Sequence, residues 1–463
     1  MIKQKYLLIL TTSLLGITLF SACTNDNPQS GIQKQNDSLA TVFKKSLKEN
    51  ILAVWYPLMV DTIDSGYYSN ATYDWQLTDN QPKMLVTQAR LMWTASEAAI
   101  FLDDSAYIPY AKHGFRFLTE KMWDSRYGGF YNIVAKDGSN ITSSYGTNKM
   151  AYGNAFAIYG FTSLYNLTGD TIALQWAKKT FSWLEEHSHD SRYGGYIDPM
   201  NRQGQWMSGT DANLVKPDEE HPVWKDYNSS IHLLEAFTAL YQVWPDPLVH
   251  ERLEEMLTLV RDTFVNPKGY LNLYFTTDWQ LVSHRNMSEA AIREQSYTDH
   301  ISFGHDVETA FLLLEASHAL GREHDTTTLR IAKKMDHHAL DNGFDSKYGG
   351  FYNEGYYFSG SDSITILSKN SQWWIQAEGL HSMLMMAQLF PEETKYRQAF
   401  LKTWKYIDRY LIDHRYGGWF IDGLNYDPEV LKANKASIWK GNYHNARALM
   451  KCVEMLQGDK VTR

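Results

Sequence analysis

Residues 124–129 read Asp-Ser-Arg-Tyr-Gly-Gly, DSRYGG, and the same six letters return at 190–195. DSKYGG follows at 345–350 and DHRYGG at 413–418. Each copy closes an amphipathic run: YIPYAKHGFRFLTEKMW before 124, ALQWAKKTFSWLEEH before 190, TLRIAKKMDHHALDNGF before 345 and YRQAFLKTWKYIDRYLI before 413. Apolar residues three and four apart predict a helix with one buried face. After each glycine pair comes a short aromatic stretch (FYNIV, YIDPM, FYNEG, WFIDG) that reads as a small strand or hairpin. The glycines supply backbone angles that a side chain would forbid, where the helix has ended and the chain reverses.

Two weaker copies extend the series. Asp64-Ser65-Gly66-Tyr67 follows SLATVFKKSLKENILAVWYPL, and Asn266-Pro267-Lys268-Gly269-Tyr270 follows HERLEEMLTLVRDTF. Between turns lies a second, more apolar helix: QARLMWTASEAAIFL, YGNAFAIYGFTSLYNL, NSSIHLLEAFTALYQVW, GHDVETAFLLLEASHAL, WWIQAEGLHSMLMMAQL and GNYHNARALMKCVEML. A helix apolar nearly all round is buried on more than one side. Six amphipathic outer helices alternating with six buried inner ones predict an all-α fold, an (α/α)6 barrel with short β-hairpins in its connections. An open solenoid of helix pairs is the alternative, and the lack of polar capping repeats favours closure.

The chain opens MIKQKYLLILTTSLLGITLFSAC. Lys3 and Lys5, an apolar stretch and then Ser21-Ala22 before Cys23 read as a bacterial lipoprotein signal, 1–22, with lipidation at Cys23. Residues 23–37 read as a flexible tether and 38–463 as one domain. The expected location is an exported, membrane-anchored lipoprotein, held by its lipid alone. Net charge is −9 with no basic block, so nucleic acid is not an expected partner. Cys452 stands alone once Cys23 is lipidated, which leaves no intramolecular disulfide. The chain is expected to be a monomer.

Polar residues gather at the N-terminal ends of the inner helices, which a closed barrel brings to one mouth. Arg90, Tyr152, Asn154, Asn228, His232, His305, Glu308, Trp373, Trp374, Glu378, Trp439 and His444 are the candidates. Six helix N-termini there favour a developing oxyanion. His305 and Glu308 are three apart on one helix, so the carboxylate can orient the imidazole. Asp336-His337-His338 looks like a metal cluster but lies on an outer helix and reads as solvated. No HExxH, Cys-x-x-Cys, EF-hand, GxSxG or phosphate-loop pattern occurs, so no metal or cofactor is implied. The long connection holding MSEAAIREQSYTDH reads as a lid over the mouth or as plain surface.

KMAYGNAFAIYGFTSLY, NSSIHLLEAFTALY, DHISFGHDVETAFLLLEAS, WWIQAEGL and WKGNYHNARALM resemble, in order, motifs of the N-acylglucosamine 2-epimerase superfamily, and most of all its cellobiose and mannobiose 2-epimerase branch. The resemblance spans about residue 40 to the end. It implies a cofactor-free inversion of C2 in the reducing-end glucose or mannose unit of a β-1,4-linked disaccharide. By motif, His305 and His444 match the acid/base pair and His232 a third active-site histidine. Arg90 matches the arginine near the reacting oxygens, Glu308 the carboxylate partner of its histidine, and Trp374 and Trp439 sugar-stacking rings. Ser230 departs from the family's HLHxLE pattern at its first histidine and leaves His232 in place.

The residues suit that chemistry on their own terms. An open-chain aldose has an acidic C2 proton, one histidine can remove it, an arginine can hold the enediolate, and a second histidine can return a proton to the other face. Competing readings are a glycoside or unsaturated-uronide hydrolase using Asp306 and Glu308, an aldose–ketose isomerase, and a sugar-binding lipoprotein without turnover.

Overall fold

The computed structural model describes residues 28–141, 143–207 and 224–458. The signal at 1–22 and the lipidation site Cys23 lie outside the described residues. Outer helices Pro28–Ser46, Ile108–Phe117, Thr171–His187, Pro247–Leu259, Thr326–Gly343 and Thr394–Tyr406 alternate with inner helices Leu85–Leu102, Ala151–Thr168, Tyr227–Val243, Phe303–Ala319, Trp373–Leu389 and Tyr443–Gln457. The first outer helix packs on the sixth inner one, and the sixth inner on the first inner, so the ring closes. The (α/α)6 expectation therefore holds. Among the described residues no helix is long and apolar enough to cross a membrane.

Two boundaries differ from the sequence reading. The segment expected to be a flexible tether is already helical from Pro28. Four outer helices run on into a π-helical turn, at Leu47–Leu52, Leu118–Met122, Val260–Phe264 and Ile407–Leu411. A period of 3.6 carries no signal for this local unwinding.

The repeated hexapeptide is a turn that caps itself and anchors the next helix. Asp124 Oδ1 accepts from the backbone N–H of Arg126 and Tyr127 at 3.0 and 3.3 Å. Its Oδ2 faces Lys149 Nζ at 3.3 Å, fully buried just before the second inner helix. The same pairing joins Asp190 to Lys225 at 2.8 Å and Asp413 to Lys435 at 2.5 Å. In the first turn it is Asp61, not Asp64, that caps, taking N–H of Ile63 and Asp64 and holding Lys83 at 2.8 Å. Gly128 and Gly129 have φ of +69° and +66°, and a Cβ on Gly129 would sit 2.7 Å from the Trp183 ring. Both facts demand glycine.

The strands tie neighbours together. The segment entering each inner helix bonds to the hairpin after the following turn. Lys83–Met84 pairs with Ile133–Val134, Trp224–Asp226 with Tyr274–Thr276, and Ile301–Ser302 with Glu354–Tyr356, all antiparallel. Lys149 bridges to Met200, and Trp373 N–H donates to Ile421 O at 3.0 Å. Ala436, ahead of the sixth inner helix, bridges back to Ala71 in the first hairpin. All six inner N-termini thus face the same hairpin-lined mouth.

Candidate active site

The polar residues at that mouth fall into two groups that the sequence could not separate. One group clamps the turns. The fourth residue of an inner helix accepts the first N–H after the turn: Gln88 Oε1 from Tyr67 at 2.8 Å, Asn154 Oδ1 from Phe130 at 3.2 Å, Asp306 Oδ1 from Leu271 at 2.8 Å and Gln376 Oε1 from Phe351 at 2.7 Å. Asn154 also donates to Met150 O at 2.8 Å and is fully buried. It is a structural clamp, not the sugar-binding residue expected. Asp306 is committed in the same way, so the carboxyl pair that a hydrolase would need is not assembled. Ser230 stands at the equivalent position of the third inner helix, where its Oγ donates to Asp226 O at 2.7 Å.

The other group faces inward. His232 is 2 % exposed, with Nδ1 2.9 Å from Glu235 Oε2. His444 Nδ1 lies 2.6 Å from Glu378 Oε1. His305 Nδ1 lies 2.6 Å from Ser302 Oγ. The imidazoles of His305 and His444 both pack against Trp374, at 4.6 and 5.8 Å between ring centroids. With each Nδ1 tied back, Nε2 is the nitrogen left for a substrate.

Glu308 does not serve His305 as expected. Its Oε1 takes Arg447 Nη2 at 2.5 Å. The i,i+3 spacing puts Glu308 within reach of His305, but a buried guanidinium from the sixth inner helix is the stronger partner. Arg447 also lies 2.8 Å from Glu378 Oε2 as an ion pair and donates to Glu235 Oε1, and Tyr443 Oη donates to Glu235 at 2.5 Å. One arginine therefore gathers three buried carboxylates, two of which hold histidines. Glu308, Glu378 and His444 bring ligand-type atoms within 4.8 Å of one another, and the guanidinium is the cation among them. Glu235 and Ser302 were missed by sequence reasoning. Glu235 had a signal, since it stands three residues after its histidine, the same spacing that drew attention to Glu308.

Burial, followed by the positive fields of His232, His300 and Arg90, holds His305 well below its ordinary value. Burial, then Arg90 and Arg447, does the same to His444. Burial pushes Glu378 well up, with Arg447 opposing and Glu308 adding. The His444–Glu378 pair thus shares one proton, with the imidazole neutral. Burial also pulls Glu235 up, but Arg447 and the His232 hydrogen bond outweigh it and leave the group at about 2.

Arg90 is 6 % exposed and donates from Nη2 to Tyr152 Oη at 2.9 Å. Its guanidinium carbon lies 4.1 Å from the Phe156 ring centroid, its Nε has no partner, and no carboxylate among the described residues pairs with it. Beside it opens a cavity of about 310 Å³, lined by Tyr152, Tyr227, Asn228, Trp224, His300 and Trp439 among others. Tyr152 and Tyr227 stand between this cavity and His232 and His305, with centroids 5.3 and 4.7 Å from those imidazoles. Trp439 is 45 % exposed at the rim. Trp373 is instead buried, with its ring 5.3 Å from Lys440 Nζ. Glu378, expected to touch substrate, is fully buried behind His444.

Elsewhere the Asp336-His337-His338 reading is corrected. Asp336 is fully buried and accepts from Ser382 Oγ at 2.8 Å, His338 is buried against Tyr357 Oη at 3.0 Å, and only His337 is exposed. The long connection is pinned rather than loose. Asp299 Oδ2 takes His284 N–H at 2.7 Å, Tyr356 Oη at 2.8 Å and Ser283 Oγ at 3.0 Å.

The N-acylglucosamine 2-epimerase (GlcNAc 2-epimerase) family model matches residues 66–448. The chain belongs to the N-acylglucosamine 2-epimerase family. It is therefore an isomerase of the epimerase class. Within the family it is 29 % identical over 427 residues to a cellobiose 2-epimerase of Bacteroides fragilis, covering 91 % of this chain and 99 % of that one. The solved cellobiose 2-epimerase of Bacillus thermoamylovorans B4167 superposes with a TM-score of 0.78 at 25 % identity, over 90 % of this chain and all of that one. The Spirochaeta thermophila cellobiose 2-epimerase gives 0.76 at 28 %, over 92 % and 98 %.

Proposed function

We propose that this family member inverts C2 of the reducing-end glucose or mannose unit of a β-1,4-linked disaccharide, of the cellobiose or mannobiose type. The observation that carries the reading is the placement of His305 and His444 on one indole, each with Nδ1 engaged, near an arginine free of carboxylates. The likeness to cellobiose 2-epimerases supports the disaccharide.

In one direction His305, neutral and held by Ser302, takes the C2 proton of the open-chain aldehyde. The electron pair moves to the carbonyl oxygen and gives an enediolate. Arg90 and the helix N-termini stabilise that oxygen. After rotation about C2–C3, His444 gives a proton from Nε2 to the opposite face while Nδ1 recovers one from Glu378. The reverse reaction exchanges the two roles. His232, fixed by Glu235, assists ring opening. The sugar beyond the reducing end lies in the cavity under Trp439.

The test is NMR of the purified protein with β-1,4-mannobiose and cellobiose in D2O. Deuterium at C2 with glucose–mannose interchange and an intact linkage is the expected result. Free monosaccharide would mean a hydrolase, and a ketose product an aldose–ketose isomerase.

From residues 1–23 alone we further propose an exported lipoprotein anchored through Cys23. Cys23→Ala should move the protein from the membrane to the soluble fraction, and unchanged membrane recovery would refute the anchor.

A further inference from the structure

A second cavity, of about 300 Å³, lies on the far side of the Arg447 layer from the histidines. Its walls run from Trp93, Tyr159, Glu235 and Arg447 at mid-helix to Asn166, Gln242 and His318 in the last turns of the second, third and fourth inner helices. The proposed reaction leaves this space unused. We propose that it binds a small organic ammonium ion, a cation that carries N–H donors.

Three features point to that class. The first is charge. Glu97, Glu235 and Glu315 line the cavity against Lys451 and Arg447, and Arg447 is already shared among Glu235, Glu308 and Glu378. The inner helices also direct their C-terminal, partially negative ends to this side. Burial raises both Glu97 and Glu315, with Lys451 opposing the shift in each, and a bound cation would relieve what remains of that penalty. The second is unmet hydrogen bonding. Thr162 is 1 % exposed and its Oγ1, in the wall, has no partner, while Glu97 takes only Ser163 Oγ at 2.6 Å among the described residues. These are acceptors awaiting a donor. The third is the wall itself. Trp93 and Tyr159, stacked at 5.3 Å, offer aromatic surface suited to an alkylammonium.

A metal ion fits less well. Among the described residues, the group of ligand atoms close enough to share one ion is Glu308, Glu378 and His444, not this set. Lys451, 45 % exposed at the rim and 3.2 Å from Glu454, is the resident cation that a ligand would displace.

The experiment is calorimetric titration of putrescine into the full-length protein at fixed ionic strength, with choline, magnesium and glucose as comparisons. Saturable binding of putrescine is expected, with a Kd of about 0.1–1 mM. Glu97→Gln/Glu315→Gln should weaken it about tenfold or more, and Lys451→Met should tighten it. Glu97→Gln alone serves if the double variant does not fold. Choline, which has no N–H, should bind more weakly. No saturable heat with putrescine, affinity unchanged in the glutamine variants, or binding of glucose in its place would each overturn the proposal. The readout needs no turnover, so it stands or falls apart from the epimerase reading.

Discussion

Glu378 grips His444 through Nδ1 at 2.6 Å while having no solvent contact of its own. Because it touches the imidazole and not the cavity, its role is to supply and take back a proton. Glu378→Gln should lower kcat about a hundredfold or more with little change in KM. A variant that raised KM with kcat intact would show that Glu378 binds the sugar instead.

His305→Ala and His444→Ala should each lose about two to four orders of magnitude in turnover. Both side chains lean on Trp374 at the mouth, so circular dichroism should report a folded protein. Near-wild-type rates in either would remove that residue from the proton-transfer pair.

His305 and His444 are both held well below the ordinary histidine value. A base with a lowered pKa stays neutral as the pH falls, so kcat/KM should hold through pH 6.5 and decline only in more acid solution. Stability carries the same sign. At His305 the unfolded chain binds, below about pH 6.5, a proton that the folded one refuses, so stability is lost as the pH falls. At the His444–Glu378 pair the proton refused by the imidazole is held by the carboxyl, and the two contributions offset. A pH–rate profile paired with urea midpoints checks both. An acid limb centred at or above 6.5 would contradict the neutral-histidine picture.

Asn154 and Tyr152 stand two residues apart and should behave as opposites. Asn154→Ala removes the clamp on Phe130 and Met150, with a loss of about 1–3 kcal/mol of stability and no loss of activity per folded molecule. Tyr152→Phe removes the hydroxyl that receives Arg90 and should lower kcat/KM about tenfold while the urea midpoint stays put.

Asp190→Ala would strand Lys225 in the interior and uncap two turn N–H groups. The expected cost is about 3–5 kcal/mol. Chemical denaturation measures it. Restoring most of that loss with a second change, Lys225→Met, would show that the unpaired charge is the cause.

The helices were legible because their period is local: apolar spacing in ALQWAKKTFSWLEEH decides its face without reference to the rest of the chain. The histidines were legible as polar residues in otherwise apolar helices. Their partners were not. His305 and Glu308 share a face, yet Arg447, more than a hundred residues later, takes the carboxylate. Asn154 and Tyr152 look alike in sequence, and only the position of the neighbouring hairpin decides that one faces a turn and the other the cavity. The reach of Asp61, three residues before the recognisable DSGY, was hidden because the first turn keeps the spacing of the hexapeptide and not its letters.

The strand that enters each inner helix belongs, by its hydrogen bonds, to the following repeat, and Ala436 hands the last of these bonds back to Ala71. No repeat owns all of its own contacts. A solenoid can gain or lose a unit at either end, but this chain has no end unit to give up. Six is therefore a closed count, and variation within such a molecule is confined to what its connections carry around the rim.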